Sequence, residues 1–130
     1  MNRRHVIVSF LSAVALAIAA APVSAQEVLG KGALFGLSGH KSAGSVSIVK
    51  TTEGIEVRLG EDFKFDGAPG PWLAFGKGGK FDRATQFSKL NANSGAQTYK
   101  VPAQIDASKY DEFYLWCRPF NVPLGVAKLK

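Results

Sequence analysis

The stretch EFYLWCR at residues 112–118 decides the fold. Successive side chains of a β-strand point to opposite faces of the sheet. The odd-numbered positions of this stretch therefore share one face: Phe113, Leu115 and Cys117. The other face carries two further aromatic side chains, Tyr114 and Trp116. A strand that is apolar on both faces is typical of the interior of a sheet, so we predict a central strand here.

The segments around this strand are short, alternate apolar with polar residues, and are separated by glycine-rich turns. SVSIVK at 45–50 and IEVRL at 55–59 flank the turn sequence TTEG at 51–54, a pattern that predicts a β-hairpin. Weaker strands are predicted at 32–35, 63–65, 72–75, 87–90 and 98–101. A closing strand at 122–129 is expected to be weakened or bulged at Pro123 and Gly125.

About eight short antiparallel strands with no long helix indicate an all-β domain, either a β-sandwich or a jelly-roll-like barrel. One helical turn is expected at 106–109, where the Asp106 side chain can accept hydrogen bonds from free backbone amides. No internal repeat or long linker interrupts this part of the chain. We therefore predict a single domain at residues 26–130.

Residues 1–25, MNRRHVIVSFLSAVALAIAAAPVSA, have the three parts of a secretion signal. Arg3 and Arg4 precede an apolar run at 6–20, and Val23-Ser24-Ala25 places small residues where a signal peptidase reads them. The run is short for a hydrocarbon core of about 30 Å, which favours cleavage after Ala25 over a retained anchor. We expect an exported protein, periplasmic or extracellular, without a stable membrane span after cleavage. The export route stays open.

The charge of the expected mature chain is modest and dispersed. Of the 16 Lys and Arg residues, two lie in the signal, which leaves 14 against 10 Asp and Glu. A nucleic-acid-binding domain concentrates its cations on one stripe or helix, and the basic residues here are scattered through the sequence. We therefore predict no nucleic-acid partner.

The metal-ligating and redox-active side chains are few: residues 26–130 contain one cysteine, Cys117, and one histidine, His40. An internal disulfide is impossible, and neither a zinc site nor a blue-copper site can be assembled from this set. No cofactor is certain, and a non-covalent haem with one axial His or Cys remains formally open. Cys117 is either a small buried apolar residue or a functional thiol, whose thiolate form the adjacent Arg118 would favour.

Hydrolytic chemistry finds no support in the sequence. The nucleophile motif GxSxG is absent. The carboxylates occur as adjacent pairs, Glu61-Asp62 and Asp111-Glu112, and neighbours in a strand point to opposite faces, so they cannot face each other as a glycosidase requires. An enzyme that acts alone is the least favoured class.

Residues 110–129, YDEFYLWCRPFNVPLGVAKL, resemble the closing part of the DM-thirteen domain family, also called the electron-transfer DM domain. The matching positions are Tyr110, Trp116, Cys117, Phe120, Gly125, Ala127 and Leu129. Further positions that resemble the family pattern lie upstream: Gly36, His40, Gly44, Asp62, Phe63, Gly70, Pro71, Gly95, Gln97, Tyr99 and Pro102. Trp72 departs from the pattern, where an aspartate commonly follows Gly-Pro, and so does Pro123-Leu124.

The resemblance implies an extracytoplasmic β-rich domain and a redox role for its single cysteine. The first hypothesis is accordingly a redox-associated accessory domain that acts on a partner protein in the same compartment by electron transfer or thiol exchange. Cys117 is then the redox group, Trp116 and Arg118 shape its surroundings, and His40 is a second polar group. The alternative is a cofactor-free module that binds a glycan or a protein through Trp72 and Phe75. The oligomeric state stays open.

Overall fold

The computed structural model describes residues 12–15 and 26–130. Apart from residues 12–15, the predicted signal lies outside the described residues. The strands of the described part are β1 (Glu27–Gly36), β2 (Ser42–Ala43), β3 (Ser45–Thr51), β4 (Gly54–Leu59), β5 (Lys64–Phe65), β6 (Pro71–Lys77), β7 (Lys80–Asp82), β8 (Ser88–Lys89), β9 (Gln97–Lys100), β10 (Glu112–Cys117) and β11 (Val122–Lys128). Two 3₁₀ turns complete the set, at Arg83–Thr85 and Ala107–Lys109. No helix among these residues is long and apolar enough to span a membrane.

Most strands join one curled antiparallel sheet in the order β7-β6-β10-β11-β1-β3-β4-β9. β8 pairs with β6 beside β7, and β2 pairs with β5 in a separate ribbon. β10 lies between β6 and β11, with Leu115 opposite Leu73 on one side and Gly125 on the other. The all-β fold and the interior position of β10 are therefore confirmed.

The hairpin predicted at residues 45–59 forms as β3 and β4, with Ile48 opposite Val57. The helical turn capped by Asp106 also forms, since its Oδ1 accepts from the Ser108 amide at 3.2 Å. In contrast, β1 begins at Glu27 and not at Gly32. The glycines of β1 obscured the alternation of apolar and polar residues. They are required where β1 passes β11, because a Cβ at Gly32 would lie 2.1 Å from the carbonyl oxygen of Lys128.

The two faces of the sheet differ in composition. We call the face that bears Phe113, Leu115 and Cys117 the inner face, because these residues belong to the hydrophobic core. Tyr114 and Trp116 point to the opposite face, here called the outer face. The other core residues are Leu34, Val46, Ile48, Val57, Leu59, Phe63, Phe65, Leu73, Phe75, Tyr99, Val101, Ala107, Leu124 and Ala127.

The bulge predicted in the closing strand is present. Trp116 pairs with Pro123 and Leu115 with Gly125, so Leu124 is the extra residue of β11. Its side chain is fully buried in the core. The bulge changes the alternation of β11 next to the end of β10 where Cys117 lies.

Candidate functional site

Cys117 is the last residue of β10 and lies on the inner face, as the alternation of residues 112–118 predicted. Its side chain is 2% exposed. The thiol Sγ donates a hydrogen bond to the carbonyl oxygen of Pro69 at 3.1 Å. The only cysteine of the chain is therefore a free thiol whose polar contact is a backbone carbonyl from a distant loop.

That loop comprises residues 66–70 and is fastened at both ends. At its start, Asp66 exchanges two backbone-associated hydrogen bonds with Lys41: its amide donates to the Lys41 carbonyl at 3.0 Å, and its Oδ2 accepts from the Lys41 amide at 2.9 Å. At its end, the Arg118 amide donates to the Gly70 carbonyl at 3.1 Å. Gly70 has a φ of 56° and lies so close to Pro119 that a Cβ there would be 2.7 Å from Cδ of Pro119. Loop 66–70 is thus held over the Cys117 thiol.

His40 takes part in fastening this loop. A hydrogen bond of 2.9 Å joins its Nδ1 to Oδ1 of Asp66, and its ring lies 5.9 Å from that of Phe65. The Lys41 amide, followed by the His40 side chain, lowers the pKa of Asp66 below its ordinary value. The His40 side chain therefore contacts the loop through Asp66, and its Nδ1 is engaged there.

The described residues contain no group of three His, Cys, Asp or Glu side chains that could hold a metal ion. The two candidate axial ligands of a haem are both engaged, His40 by Asp66 and Cys117 by Pro69. A haem could be ligated only through Nε2 of His40, or through Cys117 after loop 66–70 moves away. The haem remains a conjecture from the sequence.

Arg118 lies on the outer face, although it follows Cys117 directly. Its guanidinium carbon is 4.3 Å from the centroid of the Trp72 ring, and Trp72 is the cross-strand partner of Trp116 on that face. Adjacent residues of an extended chain point to opposite sides, so this cation is directed away from the thiol. The structure does not bring Arg118 and the Cys117 side chain together.

Trp116 is half-buried on the outer face and stacks on Phe81, with ring centroids 3.5 Å apart and an interplanar angle of 2°. Its indole Nε1 donates to Oδ1 of Asn121 at 3.1 Å. Tyr114 contacts both of these aromatic rings edge-on. Burial, with the neighbouring Glu112 carboxylate, raises the pKa of Tyr114, so its phenol stays protonated at neutral pH.

The two predicted binding-surface residues have different positions. Trp72 is half-buried on the outer face, and its role as a contact residue stays a prediction. Phe75 has no exposed surface and stacks on Phe87 and Tyr110. The prediction that Phe75 contacts a ligand is wrong, because its odd position in β6 directs the ring into the core.

Two residues near the site were missed from the sequence, Pro69 and Phe81. Pro69 contributes only its backbone carbonyl, which no side-chain pattern reveals. Phe81, in β7, lies opposite Gly76. This strand has three residues, too few to show an alternation of apolar and polar side chains. Both depend on pairing between distant segments.

The structure is therefore an all-β domain whose one cysteine is buried beneath a loop. The residue before this cysteine, Trp116, lies on the aromatic outer face. The sequence model of the family described as Electron transfer DM13 matches residues 35–129. The chain belongs to this family, which gives the domain an electron-transfer-associated role and confirms the resemblance seen at residues 110–129. Comparisons with curated proteins and with solved structures gave no match.

Proposed function

We propose that this chain is an exported, redox-associated accessory domain in which Cys117 is the redox group. The observation that carries the proposal is the position of the thiol in an electron-transfer family domain. Cys117 is 2% exposed on the inner face, yet it is joined by one peptide bond to Trp116, which reaches the outer face. A partner at the outer face is thus connected to the thiol by a short covalent path.

Burial favours electron transfer over thiol exchange as the chemistry of Cys117. Thiol–disulfide exchange requires the sulfur to attack a disulfide directly, and its rate depends on access. Loop 66–70 covers the thiol and is held by hydrogen bonds at Asp66 and at Gly70. An electron needs no such contact, since it passes between groups separated by intervening bonds. Exchange would require the loop to move first.

The supporting residues then have indirect roles. His40 positions loop 66–70 through Asp66, and Arg118 covers one face of Trp72. Trp116 links the sulfur side of β10 to the outer face. In this proposal none of the three needs to touch the thiol.

A cofactor-free binding module is the second candidate, and the half-exposed Trp72 beside Arg118 is the observation that favours it. In that case Cys117 is a core residue. Its replacement by serine would leave the function intact, whereas the redox proposal requires the sulfur.

A one-electron oxidant separates the two candidates. We expect the wild-type protein to consume one equivalent of hexachloroiridate(IV) per chain more than Cys117→Ser. In this step the Cys117 thiol loses one electron to iridium(IV), which becomes iridium(III), and its proton to solvent, which leaves a thiyl radical. Tyrosine and tryptophan contribute equally to both proteins, so Cys117→Ser is the matched control. Equal consumption by the two proteins would remove the redox proposal and leave the binding module.

A thiol reagent tests the role of the loop. We expect the native thiol to react far more slowly with an aromatic disulfide than free cysteine does, and to react stoichiometrically after unfolding. Asp66→Ala should speed the native reaction, because it removes the acceptor for His40 and Lys41. Arg118→Ala should not change it, because the guanidinium lies on the outer face. A fast native reaction of the wild type would show that loop 66–70 does not protect the sulfur.

A further inference from the structure

The outer face carries a compact group of aromatic and basic side chains around Trp116. Trp72 is paired with Trp116 on one side and with Lys89 on the other, which places Lys89 on the same face. Phe81 stacks on Trp116, and Arg118 stacks on Trp72. We call this group the outer patch: Trp72, Phe81, Lys89, Trp116 and Arg118. Arg118 and Lys89 are exposed, and the three aromatic residues are half-buried.

The excess positive charge of the domain lies on this face. The strand registers, the Arg118–Trp72 contact and the mutual backbone hydrogen bonds of Lys31 and Lys130 assign seven of the 14 basic residues at 26–130 to the outer face: Lys31, Arg58, Lys89, Lys100, Arg118, Lys128 and Lys130. Only two of the 10 carboxylates share it, Glu56 and Glu112. The other charged residues at 26–130 are seven basic and eight acidic ones. The outer face therefore carries five more cations than carboxylates, and the rest of residues 26–130 has no excess of positive charge.

Neither carboxylate neutralises the outer patch. Glu56 is joined to Arg58 on β4 at 3.1 Å. Glu112 is buried at the far end of β10, where its Oε1 accepts from the Gly79 amide at 2.8 Å. Neither patch cation, Arg118 or Lys89, forms a salt bridge among the described residues.

We propose that the outer patch docks an acidic protein surface. The partner is then an electron-transfer protein with an acidic surface, and this part of the proposal rests on the proposed function. Docking there would place the partner against Trp116, one peptide bond from Cys117. Complementary charge speeds the encounter of such proteins and selects among them.

The composition of the patch favours a protein over other anionic partners. Trp, Phe and Arg are enriched at the centres of protein–protein interfaces, and lysine is found mainly at their rims. Sugar stacking uses open aromatic faces, and Phe81 on Trp116 and Arg118 on Trp72 already occupy one of the two faces of each indole ring. A second copy of this chain would bring two positive faces together, so self-association is disfavoured.

The fluorescence of the two tryptophans of the chain, both on this face, provides the test. The folded wild-type protein is titrated at low salt with a random copolymer of glutamate and leucine. The same titration is made with heparin and with phosphatidylglycerol vesicles, at matched charge. We expect the copolymer to bind most tightly, and added salt to weaken the binding because it screens exposed charges.

Two double variants locate the binding. Arg118→Gln with Lys89→Gln should weaken copolymer binding about threefold to tenfold, as expected for two exposed charge pairs. Lys50→Gln with Lys109→Gln removes the same charge outside the outer face and should leave binding unchanged. Equal losses in both would overturn the proposal, as would tighter binding of heparin or vesicles, or no binding at all. Cys117→Ser should bind like the wild type, so a failure of the redox proposal would be recognised separately.

Discussion

At the residue scale, Asp62 and Asp66 each fasten a loop by accepting hydrogen bonds from a distant segment. Oδ1 of Asp62 accepts from both the amide and the hydroxyl of Ser45, each at 2.9 Å. These bonds lower the pKa of Asp62, as the Lys41 amide and His40 lower that of Asp66. In both cases the folded state favours the ionised carboxylate.

The lowered pKa of Asp62 predicts an acid-sensitive contribution to stability. A carboxylate whose pKa is lower in the folded than in the unfolded state stabilises the fold at any pH above its unfolded pKa, which is about 3.9 for aspartate. This stabilisation is lost as the pH falls through the folded-state pKa. Asp62→Ala should therefore lower the urea midpoint at neutral pH and have a smaller effect in acid. The neighbouring exposed Glu61→Ala is the control. Parallel pH profiles for wild type and Asp62→Ala would contradict the prediction.

The sequence predicted the position of Cys117 but not its environment. Alternation over Phe113, Leu115 and Cys117 was sufficient to place the thiol among core side chains. The direction of Arg118 was obscured because Pro119 follows and the strand ends there. The contact with Pro69 spans 48 residues, and only the folded loop brings the two together.

At the element scale, β10 allows a comparison of its two faces. Leu115 is fully buried on the inner face, and Leu115→Ala should cost about 2–5 kcal/mol. Full burial of Trp116 would predict a loss of about 3–5 kcal/mol on truncation. Since it is half-buried, we expect about 1–3 kcal/mol for Trp116→Ala, from the Phe81 stack and the Asn121 hydrogen bond.

Urea denaturation at constant m-value would measure both changes. Asn121→Gly is a useful companion variant, because glycine adopts the φ of 53° at this position while the indole hydrogen bond is lost and the ring stays stacked. If Trp116→Ala were as damaging as Leu115→Ala, the outer face would be part of the core, and its availability for docking would be in doubt.

The strands that could be predicted are those in which apolar and polar residues alternate strongly. The β3–β4 hairpin has this alternation on both strands and formed as expected. β1 lacks it because Gly30 and Gly32 occupy positions next to β11, where Leu129 and Lys128 approach closely. β2, β5 and β8 have two residues each, so their pairing follows from the tertiary fold and not from their own sequences.

At the scale of the whole molecule, the curled sheet separates two properties of the chain. The inner face holds the thiol in the core, and the outer face holds the excess cations and the half-buried tryptophans. β10 connects them, because Cys117 and Trp116 are neighbours in sequence and point in opposite directions. The proposed function depends on this separation: the partner docks on one face while the sulfur stays dry on the other.

Export is the remaining prediction at this scale. The positive n-region, the apolar run and Val23-Ser24-Ala25 predict cleavage after Ala25. β1 begins at Glu27 and pairs with Lys50, so cleavage would leave every strand of the described fold complete. Intact-mass analysis of protein recovered outside the cytoplasm should therefore show Gln26 as its first residue. Ala25→Arg should block processing because a large cation replaces a small residue at the cleavage position, whereas Ser24→Ala should not. Recovery of exported protein that still begins at Met1 would show that the leader is retained as an anchor.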